Sequence, residues 1–289
     1  QNDLYGGTTN LVVEHFNKYG IEYAFADALD AASFEAKIQS NTKVIYIETP
    51  SNPLMKIVDL AAIAALAKKY QLVSMIDNTF ASPVNQNPIA FGIDIVLHSA
   101  TKYLGGHSDI LAGAVACSAA HMERIFSIAK SLGGNLSDIS AWLLERSIKT
   151  LAIRVKQQNE NALALAHYLE EHPLIAKVYY PGLASHPDHA LAKQQMHGFT
   201  GMMSFEIASG VDRPAFEKNL EIIQPVVSLA GVESTITIPS ITSHKLLSPA
   251  GRAKQGIADN LVRFSVGIET LEDLKGDLNN ALKKAEHEG

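Results

Sequence analysis

One cysteine is too few for an intrachain disulfide, and Cys117 is the only one in this chain of 289 residues. A disulfide-stapled secreted scaffold is thereby excluded, and a reducing compartment, the cytoplasm, is the expected setting. Cys117 closes the apolar run 111–117, where a buried structural thiol is expected rather than a nucleophile. A basic surplus is also missing: 24 Lys and Arg stand against 30 Asp and Glu, a formal net charge of −6. That balance argues against nucleic acid or an anionic membrane as a partner and for a soluble metabolic protein. No apolar run approaches the roughly 18–20 residues that span a bilayer. Internal repeats and low-complexity stretches are absent too. The chain opens Gln1-Asn2-Asp3, without Met or a basic leader, and we expect a part to be missing ahead of it.

What is present is an alternation. Short β-branched apolar runs at 43–48, 72–77, 94–98 and 110–117 are separated by helical patterns such as the Ala- and Leu-rich 60–70. Near-continuous apolar strands divided by helices predict an α/β domain, a mainly parallel sheet covered by helices. The segment 137–171 reads as helical, with Ile148, Leu151 and Val155 on one face and Pro173 ending it. Strand-like runs at 176–180 and 201–207 and helices at 214–220 and 271–286 follow, which predicts a smaller α+β domain. The expected division is 1–152 and 153–289.

The residues that carry chemistry cluster at strand ends. Lys102 follows the run 94–98 in Ser99-Ala-Thr-Lys102, at the C-terminal end of a strand, where open α/β sheets place their ligands. Lysine forms Schiff bases with aldehydes, and desolvation turns it into a base. Ser99 and Thr101 are candidate phosphate ligands, and Gly105 and Gly106 allow a close backbone approach; an ordinary surface lysine is the alternative. Asp77 ends the preceding strand, and a carboxylate there calls for a cation. A pyridinium nitrogen would serve, as would a role capping the next helix. In Tyr5-Gly6-Gly7-Thr8 the ring offers a stacking face, or the segment is simply a turn. Asn52, in Glu48-Thr-Pro-Ser-Asn52-Pro53, is a candidate ligand of a phenolic oxygen or an Asn-Pro turn residue. Arg263, between apolar neighbours in the run 261–266, suits a substrate carboxylate held bidentately or a structural salt bridge. His186-Pro-Asp-His189 is expected to be a loop before a helix, not a metal site, and His98 and His107 are expected to be structural.

Taken in order, these segments resemble the Cys/Met-metabolism family of pyridoxal-phosphate enzymes, the cystathionine γ-synthase/γ-lyase group of fold type I. The resemblance also rests on Arg146-Ser-Ile-Lys-Thr-Leu151, Tyr180-Pro-Gly-Leu183, Ser228-Leu-Ala-Gly-Val-Glu-Ser234 and Val262-Arg-Phe-Ser-Val-Gly-Ile-Glu269. It implies that Lys102 holds pyridoxal 5'-phosphate covalently as a Schiff base and later shuttles protons. By the same resemblance Asp77 pairs with the pyridine nitrogen, Tyr5 stacks on the ring and assists proton transfer, and Ser99 and Thr101 bind the phosphate. Asn52 supports the phenolic oxygen and adjoins the substrate, Arg263 holds the amino-acid carboxylate, and Ser228 lies near Arg263 and Lys102. The implied substrate is a small sulfur-containing or O-acylated amino acid. The implied assembly is a homotetramer, a dimer of dimers sharing active sites. Two departures accompany it. Family members carry a segment ahead of the YGGT motif that supplies a Gly-Met turn and, to the neighbouring subunit, a Tyr/Arg pair, and neither precedes Tyr5. Methionine γ-lyases place a Cys after Tyr-Gly, where this chain has Gly7. The expected activity is that of a cystathionine γ-lyase or γ-synthase. Methionine γ-lyase or O-acylhomoserine sulfhydrylase is the alternative, and a non-catalytic fragment is the non-enzyme reading.

Overall fold

Three of the four apolar runs in the first half pair as parallel strands. The computed structural model describes residues 1–242, 245 and 248–286. In it β1 (Val44–Glu48), β2 (Val73–Asp77), β3 (Ile95–Ser99) and β4 (Gly113–Cys117) form one sheet in that order. β1, β2 and β3 are parallel, while β4 runs antiparallel to β3, with Ser99 opposite Gly113. The expectation of a mainly parallel sheet therefore holds up to its last strand. The turn that carries Lys102 reverses the chain onto the sheet edge, where a helical crossover would have kept the direction.

The second sheet has the order β5-β6-β9-β8-β7, with β5 (Ile175–Tyr179), β6 (Met202–Ile207), β7 (Gln224–Pro225), β8 (Thr235–Thr237) and β9 (Leu261–Ser265). All of its pairings are antiparallel except β7 with β8. The helices of the first half are α1 (Gly6–His15), α2 (Ala31–Glu35), α3 (Leu60–Lys69), α4 (Ser82–Asn85), α5 (Ala119–Leu132) and α6 (Asp138–Ile148). Those that follow are α7 (Leu151–Glu170), α8 (His189–Gln195), α9 (Arg213–Asn219), α10 (Pro249–Gln255) and α11 (Leu271–Lys284).

Local rules explain most of these bounds. α3 starts where the Asp59 side chain accepts the Ala62 N–H, and it ends on Lys68 and Lys69, cations at the negative end of the helix dipole. Its buried stripe, Leu60, Ile63, Leu66 and Ala67, packs with Ile45, Ile47, Ile76 and Val96 of the first sheet. Each such aliphatic side chain contributes about 1.5–3 kcal/mol by leaving water. The single helical segment read at 137–171 is two helices, broken at Lys149 and Thr150. Ile148 consequently leaves the face shared by Leu151 and Val155: it is exposed, and they are buried. α7 buries residues at helical spacing in two clusters. Ala162, Leu165, Ala166 and Leu169 join the core of the second sheet, while Leu151 and Val155 pack with Met55, Phe80, Tyr103, Met202 and Leu229. That smaller cluster lies directly beneath the Lys102 turn.

No helix among the described residues is long and apolar enough to cross a membrane. Cys117 is half-buried rather than enclosed, because β4 is the edge strand and its burial pattern is open.

Candidate active site

The site is built from the C-terminal ends of β1, β2 and β3, and the second sheet contributes β9. β2 ends on Asp77, which is cross-strand neighbour to Glu48 on one side and Leu97 on the other. One oxygen of Asp77 accepts the Thr79 N–H at 2.9 Å, and burial raises its pKa above the usual carboxylate value. The alternative cap role thus accounts for one local hydrogen bond and no helix N-terminus, since α4 has no side-chain cap. Glu48 at the end of β1 is enclosed too, with its pKa pushed well up by burial and then by the neighbouring Asp77.

Three residues past β3, Lys102 sits in a turn closed by Lys102 N–H to Ser99 O at 3.0 Å and Gly106 N–H to Lys102 O at 2.7 Å. Its pKa is lowered, first by burial and then by the charge of Arg263. The two neighbouring hydroxyls are in different situations. Thr101 Oγ1 donates to Ala112 O at 3.3 Å and accepts from Ala112 N at 3.0 Å, so phosphate binding by that O–H requires the longer bond to be given up. Ser99 is held through its backbone, which donates to Thr79 Oγ1 at 2.8 Å. The close approach read at Gly105 and Gly106 serves a different partner from the one expected. A Cβ at Gly106, where φ is +71°, would overlap the Arg154 guanidinium, and one at Gly105 would come 3.0 Å from Ala100 O. Arg154 of α7 donates to Tyr103 O (2.9 Å), Leu104 O (3.4 Å) and Ser147 O (3.0 Å), clamping the Lys102 turn from below.

Arg263 points in from β9, every residue of which is buried. Among the described residues it has no carboxylate partner; its contacts are Asn52 Oδ1 at 3.3 Å and Val227 O at 3.4 Å, two neutral oxygens. Enclosure lowers its pKa to about 10. The structural salt bridge weighed for it is absent. Among the described residues no ion pair involves Arg263, Lys102, Asp77 or Glu48. Asn52 is buried, and Ser228 follows the carbonyl that Arg263 contacts and is half-buried. Tyr5 is the cap residue of α1, so the YGGT segment opens a helix and is not a free turn. The Tyr5 ring lies over Gly7, where a Cβ would come 2.5 Å from Cε1, and Arg263 feels the Tyr5 hydroxyl electrostatically.

Two cations and two carboxyls thus meet at one sheet end without neutralising one another. In a protein interior such groups require an ionic ligand. A group with an anionic phosphate, a protonatable ring nitrogen and an aldehyde matches this donor set, as does the carboxylate of an amino acid. Asn52, Tyr5 and Lys102 meet Arg263 by contact or by charge, and Asp77 joins them through Glu48, whereas Ser99, Thr101 and Ser228 adjoin them along the chain; sequence reasoning does not reach Glu48 or Arg154. For Glu48 the signal in the sequence is an apolar strand followed by a polar turn. Arg154 lies in the first turns of α7, close to Lys156, and carries no local signal of its partners.

The comparisons agree with this chemistry. The model of the Cys/Met metabolism PLP-dependent enzyme family matches residues 1–283. A cystathionine beta-lyase of Lactococcus lactis subsp. cremoris (strain MG1363) is 45% identical over 283 residues, 98% of this chain and 74% of the relative. A cystathionine gamma-lyase of Bacillus subtilis (strain 168) is 45% identical over 282 residues, 97% of this chain and 74% of the relative. Among solved structures, cystathionine gamma synthase from Xanthomonas oryzae pv. oryzae in complex with cystathionine superposes with a TM-score of 0.93. That structure is 41% identical to the chain, covering 98% of this chain and 74% of its own.

Proposed function

The chain belongs to the Cys/Met metabolism PLP-dependent enzyme family, and from that premise we propose that it makes or breaks the C–S bond of a cystathionine-type amino acid. The observation that carries this reading is the enclosed Arg263, bonded only to neutral oxygens and close enough to Lys102 to depress its pKa. A carboxylate-bearing substrate completes the charge of that guanidinium and brings its Cα toward the lysine amine.

Pyridoxal phosphate, when bound, supplies an electron sink for charge developing on the substrate carbon. The remaining roles fall to the chain's own residues. Lys102 Nζ would hold the cofactor through its aldehyde, as a Schiff base, and as a free amine would take the Cα proton of a bound amino acid. Desolvation favours its neutral, proton-accepting form. Asp77 holds the proton on the pyridine nitrogen. Ser99 and Thr101 receive the phosphate, and Tyr5 covers the ring and assists proton transfer. Asn52 supports the phenolic oxygen, and Arg263, with Ser228 beside it, orients the substrate carboxylate.

The test is product analysis with the purified protein. Cystathionine cleaved at Cγ yields cysteine, 2-oxobutyrate and ammonia, and added thiol with an O-acylated homoserine reads the synthase direction. Lys102→Ala is expected to abolish both reactions and the absorbance band of the bound cofactor. A wild-type protein that binds no pyridoxal phosphate refutes the reading. The Lactococcus relative favours one second reading, cleavage at Cβ, for which homocysteine, pyruvate and ammonia are the products.

The assembly reading is a homotetramer, supported by the apolar side chains that α5 and α6 leave exposed, with Phe126 66% and Trp142 61% accessible. A cytoplasmic setting is supported by the single cysteine. The division at residue 152 is supported by the break before α7 and by the separate cores of the two sheets.

A further inference from the structure

Glu48 is a second carboxyl at the site. It stands at the last position of β1, in register with Asp77 at the last position of β2. Partners in a parallel ladder project to the same face, so two carboxyls lie side by side in an enclosed place. Glu48 Oε2 accepts the Tyr5 N–H at 2.7 Å, and its carboxyl also faces the Asn52 N–H. Tyr5 and Asn52 arrive from separate segments, the cap of α1 and the turn after β1. Asn52 in turn contacts Arg263. The backbone of Glu48 is pinned as well: its N–H donates to Gln1 Oε1 at 2.9 Å, and its carbonyl accepts from Gln1 Nε2 at 3.0 Å. The side chain therefore has little freedom to withdraw.

Resting on the pyridoxal-phosphate reading, we propose that Glu48 is a positioning residue, a neutral carboxyl that staples the Tyr5 and Asn52 backbones together beside Asp77. Two adjacent buried carboxyls cannot both ionise without a cation between them. Of the two, Asp77 is placed to meet a protonated ring nitrogen, and Glu48 is turned toward backbone N–H groups. A neutral Glu48 leaves the charge of Asp77 as the one facing that nitrogen. The titratable groups around Glu48 agree. Asp77 and Asp3 both raise its pKa, and Tyr46 of β1 is itself pushed up. None of these supplies a full positive charge at neutral pH.

Two measurements on the intact protein test this, one with the cofactor and one without. In cofactor-stripped protein at pH 7, infrared spectroscopy is expected to show the C=O stretch of a protonated carboxyl. Glu48→Gln should lose that band and Asp77→Asn should keep it. With cofactor, Glu48→Ala is expected to weaken pyridoxal-phosphate binding about ten-fold and to flatten the circular dichroism of the bound chromophore, because Tyr5 is no longer held. Glu48→Gln, which retains one acceptor oxygen, should fall between Glu48→Ala and wild type on both readouts. A band that Glu48→Gln leaves intact overturns the neutral carboxyl. Wild-type affinity and dichroism in a folded Glu48→Ala overturn the staple. Failure of the wild type to bind pyridoxal phosphate strikes the functional reading instead, and the infrared band still decides the state of Glu48.

Discussion

Asp277 is buried and Asp77 half-buried, one aspartate in each half of the molecule, and the fold treats them differently. Asp277 of α11 accepts three backbone N–H groups, those of Glu221 (2.8 Å), Ile222 (3.0 Å) and Ile223 (2.8 Å), and so fastens the loop before β7. Asp77 accepts one, from Thr79, and its pKa rises with burial. The same contrast separates the two halves. In the second, buried polar groups are spent on structure: Glu269 receives Ser234 N at 2.5 Å and Ser234 Oγ at 2.9 Å, and Asn161 donates to two carbonyls. In the first, Glu48, Asp77, His98 and Lys102 are buried or half-buried with their pKa values displaced chiefly by desolvation. Burial alone does not mark a site. Burial with polar capacity left over does, and from the second half Arg263 brings such a group to the site.

The contrast breaks most sharply on substitution. Asp77→Asn should lower kcat/KM about 10²-fold or more, with little loss of stability, because an amide at that buried position carries no charge to desolvate. A variant that keeps wild-type turnover would remove Asp77 from the site. Asp277→Ala should reverse the pattern, with cofactor affinity unchanged in the folded fraction and unfolding free energy down by about 3 kcal/mol, since three donors lose their acceptor. Urea titration of the two variants in parallel checks both.

A similar loss is expected on acidification, and it belongs to the first half. His98 is buried, its Nδ1 has no hydrogen-bond partner among the described residues, and burial lowers its pKa from 6.5 to about 4. Between those values the unfolded chain binds the proton and the folded chain does not, so stability falls as pH drops through 6.5 toward 4. The contribution is about 3 kcal/mol at about 1.4 kcal/mol per pKa unit. His98→Gln should flatten that part of the pH–stability curve, and a variant as acid-sensitive as wild type would contradict the assignment. The smallest effect on the folded subunit is expected at the exposed apolar face. Phe126→Ser with Trp142→Ser should change subunit stability by less than about 0.5 kcal/mol per substitution while lowering the mass observed in sedimentation. An unchanged mass would move the interface elsewhere.

Much of this arrangement was legible in the sequence because it follows from local rules. Asp77 and Lys102 stand at the ends of β-branched runs that could only be strands, and Arg263 is too costly in its apolar strand to lack a role. Other features depend on pairing that no local pattern encodes. The reversal of β4 is set at the sheet edge, although its residues would suit a parallel strand equally well. α1 was hidden because Gly6 and Gly7 are poor helix formers, yet they occupy its first turn, where the cost is smallest and room for the Tyr5 ring is needed. Glu48 read as a strand terminus in a turn motif, and only its register with Asp77 shows that two carboxyls share one place. Arg154 is separated by about fifty residues from the carbonyls it clamps.

The central claim is that Lys102 is the amine that holds the cofactor. Borohydride reduction of the protein loaded with pyridoxal phosphate, followed by peptide mass mapping, tests it most directly. The account predicts one reduced pyridoxyl adduct per chain, on Lys102. An adduct on another lysine, or full labelling of a folded Lys102→Ala protein, would contradict it.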